Sequence, residues 1–204
     1  MYSFTRIVIE DLPNNSTGFI LGGNKGYVSQ WPVNPDGEKL VHLFSIDCEK
    51  LFPRIPQGIL PELGYFSVFS TYSNDDYFLD SITYFGDPQE LELIKSGFTC
   101  VSYSLTNDTS ENNDIFIPER SVSFLDMEIN NDDYPMMSFF AEKNPNGLDD
   151  IGELGKDYHF LCQIYSSDFP EKFKDVLGLS DAIGYLFIKK EGNEVEGIFF
   201  VQAA

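Results

Sequence analysis

Basic residues are scarce in this chain. Thirteen Lys plus Arg stand against thirty-three Asp plus Glu in 204 residues, a formal net charge of −20. Phosphate contacts need Lys and Arg, so no nucleic-acid ligand is expected, and no anionic membrane surface either. Cysteine is scarce too. Cys48, Cys100 and Cys162 are odd in number and form no C-x-x-C pair, which argues against a disulfide scaffold and a cysteine-based zinc site. The two histidines, His42 and His159, belong to no H-E-x-x-H. No run approaches the ~20 apolar residues of a membrane span. The opening MYSFTRIVIEDLPNN lacks the charged start, apolar run and small-residue cleavage site of a secretion signal. The expectation is a cytoplasmic protein with no membrane partner.

What the chain has in plenty is aromatic surface. Nineteen Phe and eleven Tyr, within a 42% hydrophobic composition, mark a folded protein with enough apolar area for a sizeable core. The acidic excess is uneven. Residues 74–153 hold eighteen acidic and three basic residues, leaving −15 there and −5 elsewhere. A field of one sign favours a basic protein partner and speeds its encounter; it also keeps a surface soluble without any partner.

The chain states one pattern twice, in residues 40–70 and 158–190. Leu43-Phe44-Ser45-Ile46 matches Leu161-Cys162-Gln163-Ile164, and Gly64-Tyr65-Phe66 matches Gly184-Tyr185-Leu186. Each copy reads as an apolar strand, a short link and a Gly-led apolar strand. The spacing of nearly 120 residues is too long for a solenoid repeat. It predicts two similar halves, 1–143 and 144–204, forming one globular unit. The Pro/Gly/Asp-rich stretch 144–155 is the boundary.

Around these units, 2–9 alternates as a half-buried strand and 18–21 reads as a short one. Residues 81–85 and 97–105 are strand-like. Asp87-Pro88 opens a short helix with Asp as N-cap and Pro at the first helical position. Residues 106–114 read as a polar loop, and 116–129 fits helix or strand. Residues 135–143 suggest a buried helix. Phe169, Phe173, Val176 and Leu177 lie at helical spacing, predicting two to three amphipathic turns over 168–177. The last strand falls at 196–201. Many short strands with few helices give an α+β protein, β-rich, with mainly antiparallel sheets.

The order Gly22-Gly23, Trp31-Pro32, Gly37, Leu40, Leu43, Ile46-Asp47, Leu60-Pro61, Gly64-Tyr65-Phe66 and Phe69 resembles the YwqG-like family of bacterial proteins of unknown function. Asp80-Ser81-Ile82-Thr83-Tyr84 is similar to that family's next strand, and the second unit is similar to its second half. Position 45 departs from the pattern, with Ser for the usual Gln, whereas Gln163 keeps it. The resemblance covers about half the chain and implies a duplicated, β-rich α+β fold. It supplies no catalytic residue. Some members lie beside toxin genes, which implies an immunity or antitoxin role.

Candidate chemistry is thin. His42 and His159 each precede a repeated strand, and as a pair they read as general bases or metal ligands, or as satisfied strand-edge histidines. Nothing local activates Cys48 or Cys162 as a nucleophile. Asp108, Glu111 and Asp114 could face a hard cation, but the spacing is not that of an EF-hand loop. No metal site or cofactor is expected. The preferred reading is a non-catalytic acidic protein-binding module. Its carboxylates Asp75, Asp76, Asp108, Glu111, Asp114, Asp132 and Asp133, with Tyr77 and Tyr134 as anchors, would meet a basic toxin. The alternative is an enzyme or small-ligand binder with Trp31, His42, Asp47 and His159 in a cleft between the repeats.

Overall fold

In the computed structural model, residues 2–10, 17–129, 136–139, 145, 148, 151–152, 154–189 and 195–203 are described. The strands are β1 (Tyr2–Glu10), β2 (Phe19–Leu21), β3 (Lys25–Gly26), β4 (Val41–Asp47), β5 (Tyr65–Ser70), β6 (Thr99–Ser104), β7 (Ser110–Glu111), β8 (Arg120–Ile129), β9 (Ser138–Phe139), β10 (Tyr158–Tyr165), β11 (Ala182–Lys189) and β12 (Gly197–Ala203). Among the described residues four short α-helices accompany them: α1 (Cys48–Leu51), α2 (Leu79–Ile82), α3 (Pro88–Leu93) and α4 (Leu154–Asp157). The architecture is β-rich and antiparallel with a few short helices, as the short-strand pattern predicts.

Ten strands form one sheet in the order β12-β11-β10-β9-β1-β8-β2-β4-β5-β6, while β3 and β7 pair apart as a small ribbon. Both halves of the chain therefore share one sheet. It curls until its edge strands meet side by side without a ladder. The Thr99 hydroxyl of β6 donates to the Phe199 carbonyl of β12 at 2.6 Å, and Phe44 of β4 meets Phe199 at 6.2 Å between ring centroids. The enclosed face holds the main core, which takes Phe19, Leu43, Phe44, Ile46 and Phe66 from one half and Leu161, Cys162, Leu186, Phe199 and Val201 from the other. Removing such side chains from water supplies about 1.5–3 kcal/mol each. A second apolar cluster, with Tyr84, Phe160, Tyr185, Phe187 and Phe200, covers the outer face of β10–β12. A third, with Val28, Trp31, Leu40 and Phe69, covers that of β4–β6.

The repeated motif takes a definite form. The β4–β5 ladder shifts register between His42 and Phe44, and the β10–β11 ladder shifts between Phe160 and Cys162. Leu43 and Leu161 are the extra residues. A bulge of this kind sends two consecutive side chains to one face, so Leu43 with Phe44, and Leu161 with Cys162, all enter the main core. The ladders then match pair for pair. His42↔Phe69 corresponds to Phe160↔Phe187 and Ser45↔Ser67 to Gln163↔Tyr185, each number rising by 118. The glycines do not follow this register. Gly64 precedes β5 at φ +94°, whereas Gly184 lies inside β11 opposite Ile164. The 64-to-184 match of the sequence is thus two residues out of step.

Several local expectations are corrected. Residues 79–82 are helical, and only Thr83 bridges to Val201, so 81–85 is not a strand; the Thr83 hydroxyl bonds back to the Leu79 carbonyl at 2.7 Å. The 168–177 stretch makes separate 3-10 turns, Ser166–Asp168 and Glu171–Phe173, rather than one helix. Pro170 explains this: it holds Phe169 extended, at φ −72° and ψ 161°. Phe169, Val176 and Leu177 are buried nonetheless. Ser110–Glu111 pairs with Lys25–Gly26 inside the expected polar loop, 120–129 is strand, and Ser138–Phe139 is strand where a helix was expected. The Asp87 cap holds, its carboxylate accepting from the Gln89 N–H at 2.7 Å.

Candidate functional site

Trp31 and His42 both pack on Phe69 at the outer face of β4, and Asp47 ends that strand. The bulge at Leu43 places His42 and Ser45 on the same face three residues apart. His42 Nε2 lies 2.8 Å from Ser45 Oγ, Ser45 Oγ lies 2.8 Å from Ser67 Oγ, and the Tyr27 N–H donates to Ser67 at 2.9 Å. The loop between β2 and β4 covers this chain of groups. Its Trp31 donates to the Leu40 carbonyl at 2.8 Å and packs edge-on against Phe69, which also touches the His42 ring. Gly26 is obligatory here, because a Cβ would stand 2.5 Å from Phe69. Burial pushes the His42 pKa down to about 4, although the backbone of Gly22, Gly23 and Phe44 partly opposes the shift. The ring is therefore neutral near pH 7. Nδ1 has no hydrogen bond of good geometry, although that same backbone lies close by.

Ser45 borders a small cavity of about 140 Å³ with Gly18, Ile20, Tyr27, Asp47 and Lys50. Small-molecule sites occupy about 300–1,000 Å³, so this space holds a few atoms at most. Asp47 is tied to Lys50 at 3.3 Å. His159 does not join. It lies on β10, opposite Ile188, with four strands between β10 and β4. The position matching His42 in the second unit is Phe160, so the two histidines are not counterparts. The cleft drawn from Trp31, His42, Asp47 and His159 thus divides: His42 belongs to the Ser45–Ser67 chain beneath Trp31, while Asp47 pairs with Lys50.

The thiols offer no nucleophile. Burial, reinforced by Asp47, pushes Cys48 up to about 12, and burial alone raises Cys162 and Cys100. Among the described residues no group of three or more His, Cys, Asp or Glu is placed to hold a metal ion, and no helix is long and apolar enough to cross a membrane.

The predicted acidic face also divides. Asp75, Asp76 and Tyr77 follow the Ser70 end of β5, where Ser73 Oγ accepts from the N–H groups of Asp75 and Asp76 at 3.2 and 3.0 Å. Asp108, Glu111 and Asp114 follow the Ser104 end of β6, which the ladder sets opposite Tyr65. A six-residue strand separates these ends by roughly 20 Å. Two members of the second group are paired internally, Glu111 with Lys25 at 3.1 Å and Asp114 with Lys39 at 2.8 Å, while Asp108 only accepts from the Thr106 hydroxyl at 3.0 Å. Asp132, Asp133 and Tyr134 lie outside the described residues.

The first group gains members that window counting missed. Tyr77 is 72% exposed, and its hydroxyl donates to Asp80 at 2.7 Å. That bond to a carboxylate raises the phenol's pKa. Behind it, the Tyr72 hydroxyl is 3.3 Å from Asp175, and its ring packs on Phe78 and Phe173. Asp175 thereby joins from the second unit. Among the described residues no Lys or Arg forms an ion pair with Asp75, Asp76 or Asp80.

No protein-family model matches the chain, and no curated protein matches it.

Proposed function

We propose that the protein is a non-catalytic binding module whose face is the Tyr77 patch and whose partner is a basic protein. The observation that carries this reading is an exposed tyrosine bonded to Asp80 and preceded by Asp75 and Asp76, three carboxylates that pair with no Lys or Arg among the described residues. Aromatic side chains supply much of the anchoring energy at interfaces. Unpaired carboxylates supply long-range attraction, which salt weakens. An inhibitor of the immunity or antitoxin kind, acting in the cytoplasm on a basic toxin, is the most concrete form of this activity. It agrees with the resemblance to YwqG-like proteins. The matching bulged hairpins support descent of the two halves from one duplicated unit.

The test is capture of the products of adjacent genes on the immobilised protein at low and high salt, followed by assay of the captured protein's activity. A stoichiometric basic partner, inhibited on binding and released by salt, is expected. The D75K/D76K double variant should lose it, and D108K/E111K should retain it. Unchanged capture by D75K/D76K would refute the assignment of this face.

A further inference from the structure

The enclosed face of the sheet is apolar along most of its length and turns polar at one end. On β1 it passes from Ile9 and Ile7, which pack in the core, to Thr5; on β8 it passes from Val122 and Phe124 to Asp126. At that end the turn Phe52–Arg54 and Ile55 cross the opening and leave a cavity of about 440 Å³. Ile55, Phe139 and Leu161 form apolar wall, while Thr5, Arg54 and Asp126 bring the polar groups. The volume suits a small molecule, and the mouth of a rolled sheet is a common place to hold one.

The two charges at this mouth are opposite in sign and loosely joined. Arg54 stands 3.4 and 3.5 Å from the two Asp126 oxygens, longer than the roughly 2.7–2.9 Å of a good charge-assisted hydrogen bond. Its guanidinium lies over the Phe124 ring, 5.3 Å from the centroid. Asp126 is held instead by the Thr5 hydroxyl at 2.8 Å. Both heads keep capacity for a ligand, since a guanidinium has five donors and a carboxylate about four acceptor sites.

We propose that this mouth binds an apolar α-amino acid as its zwitterion. The ligand carboxylate lies on Arg54, its ammonium on Asp126, and its side chain against Ile55, Phe139 and Leu161. A simple anion would be repelled by the net charge of −20, and a simple cation would meet Arg54 at the rim. A zwitterion avoids both penalties and uses both charges. The site is separate from the Tyr77 patch and does not depend on the protein-binding reading.

The test is calorimetric titration of the full chain with L-phenylalanine and L-leucine, and with N-acetyl-L-phenylalanine and L-phenylalaninamide, which each lack one charge. Saturable binding of the free amino acids is expected, with each blocked compound weaker by on the order of tenfold. Arg54→Gln should abolish the preference for L-phenylalanine over its amide. Asp126→Asn should abolish the preference over the N-acetyl compound. Equal binding of all four compounds, or no saturation by either free amino acid below roughly 10 mM, would overturn the proposal, and these outcomes need only the wild-type protein.

Discussion

Mild acid should destabilise this protein through His42. The ring is 2% exposed, and burial holds its pKa at about 4 against an ordinary 6.5. In the unfolded chain it titrates near 6.5. Between those values the unfolded state binds a proton that the folded state does not, so stability is lost as the pH falls through 6.5, down to about 4. At 1.36 kcal/mol per pH unit the whole gap corresponds to about 3 kcal/mol, of which about 2 kcal/mol is lost by pH 5. That is a large share of the roughly 5–15 kcal/mol that stabilises a typical domain. The informative variant is His42→Phe, because Phe160 holds the corresponding place opposite Phe187. It removes the titration and keeps an aromatic ring against Phe69. It also forfeits the bond to Ser45, costing about 1 kcal/mol at pH 7. Urea unfolding of both proteins at pH 7 and pH 5, followed by circular dichroism, isolates the effect, since the carboxylates contribute almost equally to both and cancel. Wild type should lose about 2 kcal/mol more than the variant between these pH values. Equal losses would refute the claim that His42 is buried and neutral.

Gly184→Ala should destabilise by roughly 1–3 kcal/mol, because its Cβ would lie 2.3 Å from Phe199 Cζ; an unchanged urea midpoint would contradict the packing of β11 on β12. Cys48 and Cys162 should resist iodoacetamide at pH 8 in the native protein and react fully in denaturant, as mass spectrometry of the peptides would show, since both are buried with raised pKa values. Lys25→Ala should cost less than about 1 kcal/mol, because its pair with Glu111 is exposed; a larger loss by thermal melting would mean that the β3–β7 ribbon matters more to stability than its two residue pairs imply. Tyr77→Ala should leave the melting temperature within about a degree or two, because the side chain is largely in water, while weakening capture of a basic partner.

The repeated strands were legible because their signal is local: apolar runs of six to eight residues bounded by Gly and Pro specify strands wherever they fall. The Asp87-Pro88 cap was legible for the same reason, as a short-range rule of side-chain oxygen and missing N–H. The 168–177 stretch misled because a buried 3-10 turn and a buried helix produce similar apolar spacing, and Pro170 at its start decides between them. Charge was the least legible property. A window of eighteen acidic residues names no face, and the antiparallel β5–β6 pair sends Asp76 and Asp114 to opposite ends. Lys25 and Lys39, which neutralise Glu111 and Asp114, are more than seventy positions away. Asp175, which joins the Tyr72 cluster, lies outside the acidic window altogether.

The bulged leucines explain why two hairpins of matching register, β4–β5 and β10–β11, present different chemistry. Because Leu43 and Leu161 double the inward residues, the position before each bulge and the position two after it share the outer face. In the second unit that face carries Phe160, Phe187 and Tyr185, packed with Phe200, and a single buried amide at Gln163. In the first unit the places of Phe160, Gln163 and Tyr185 carry His42, Ser45 and Ser67, closed over by Trp31 and the backbone of Tyr27. Polar groups buried this way cost stability unless they are bonded, and the His42–Ser45–Ser67 chain bonds most of them. The network is thus the condition for burying a polar outer face beneath the β2–β4 loop. It also follows that exchanging single residues between the units should be costly. Ser45→Gln, taken from position 163, would press a longer amide into the small cavity beside Tyr27 and Asp47 and displace the hydroxyl that joins His42 to Ser67. A loss of about 1–3 kcal/mol on urea unfolding is expected. A neutral or stabilising result would mean that the cavity accepts the amide and that the hydroxyl chain contributes little to the fold.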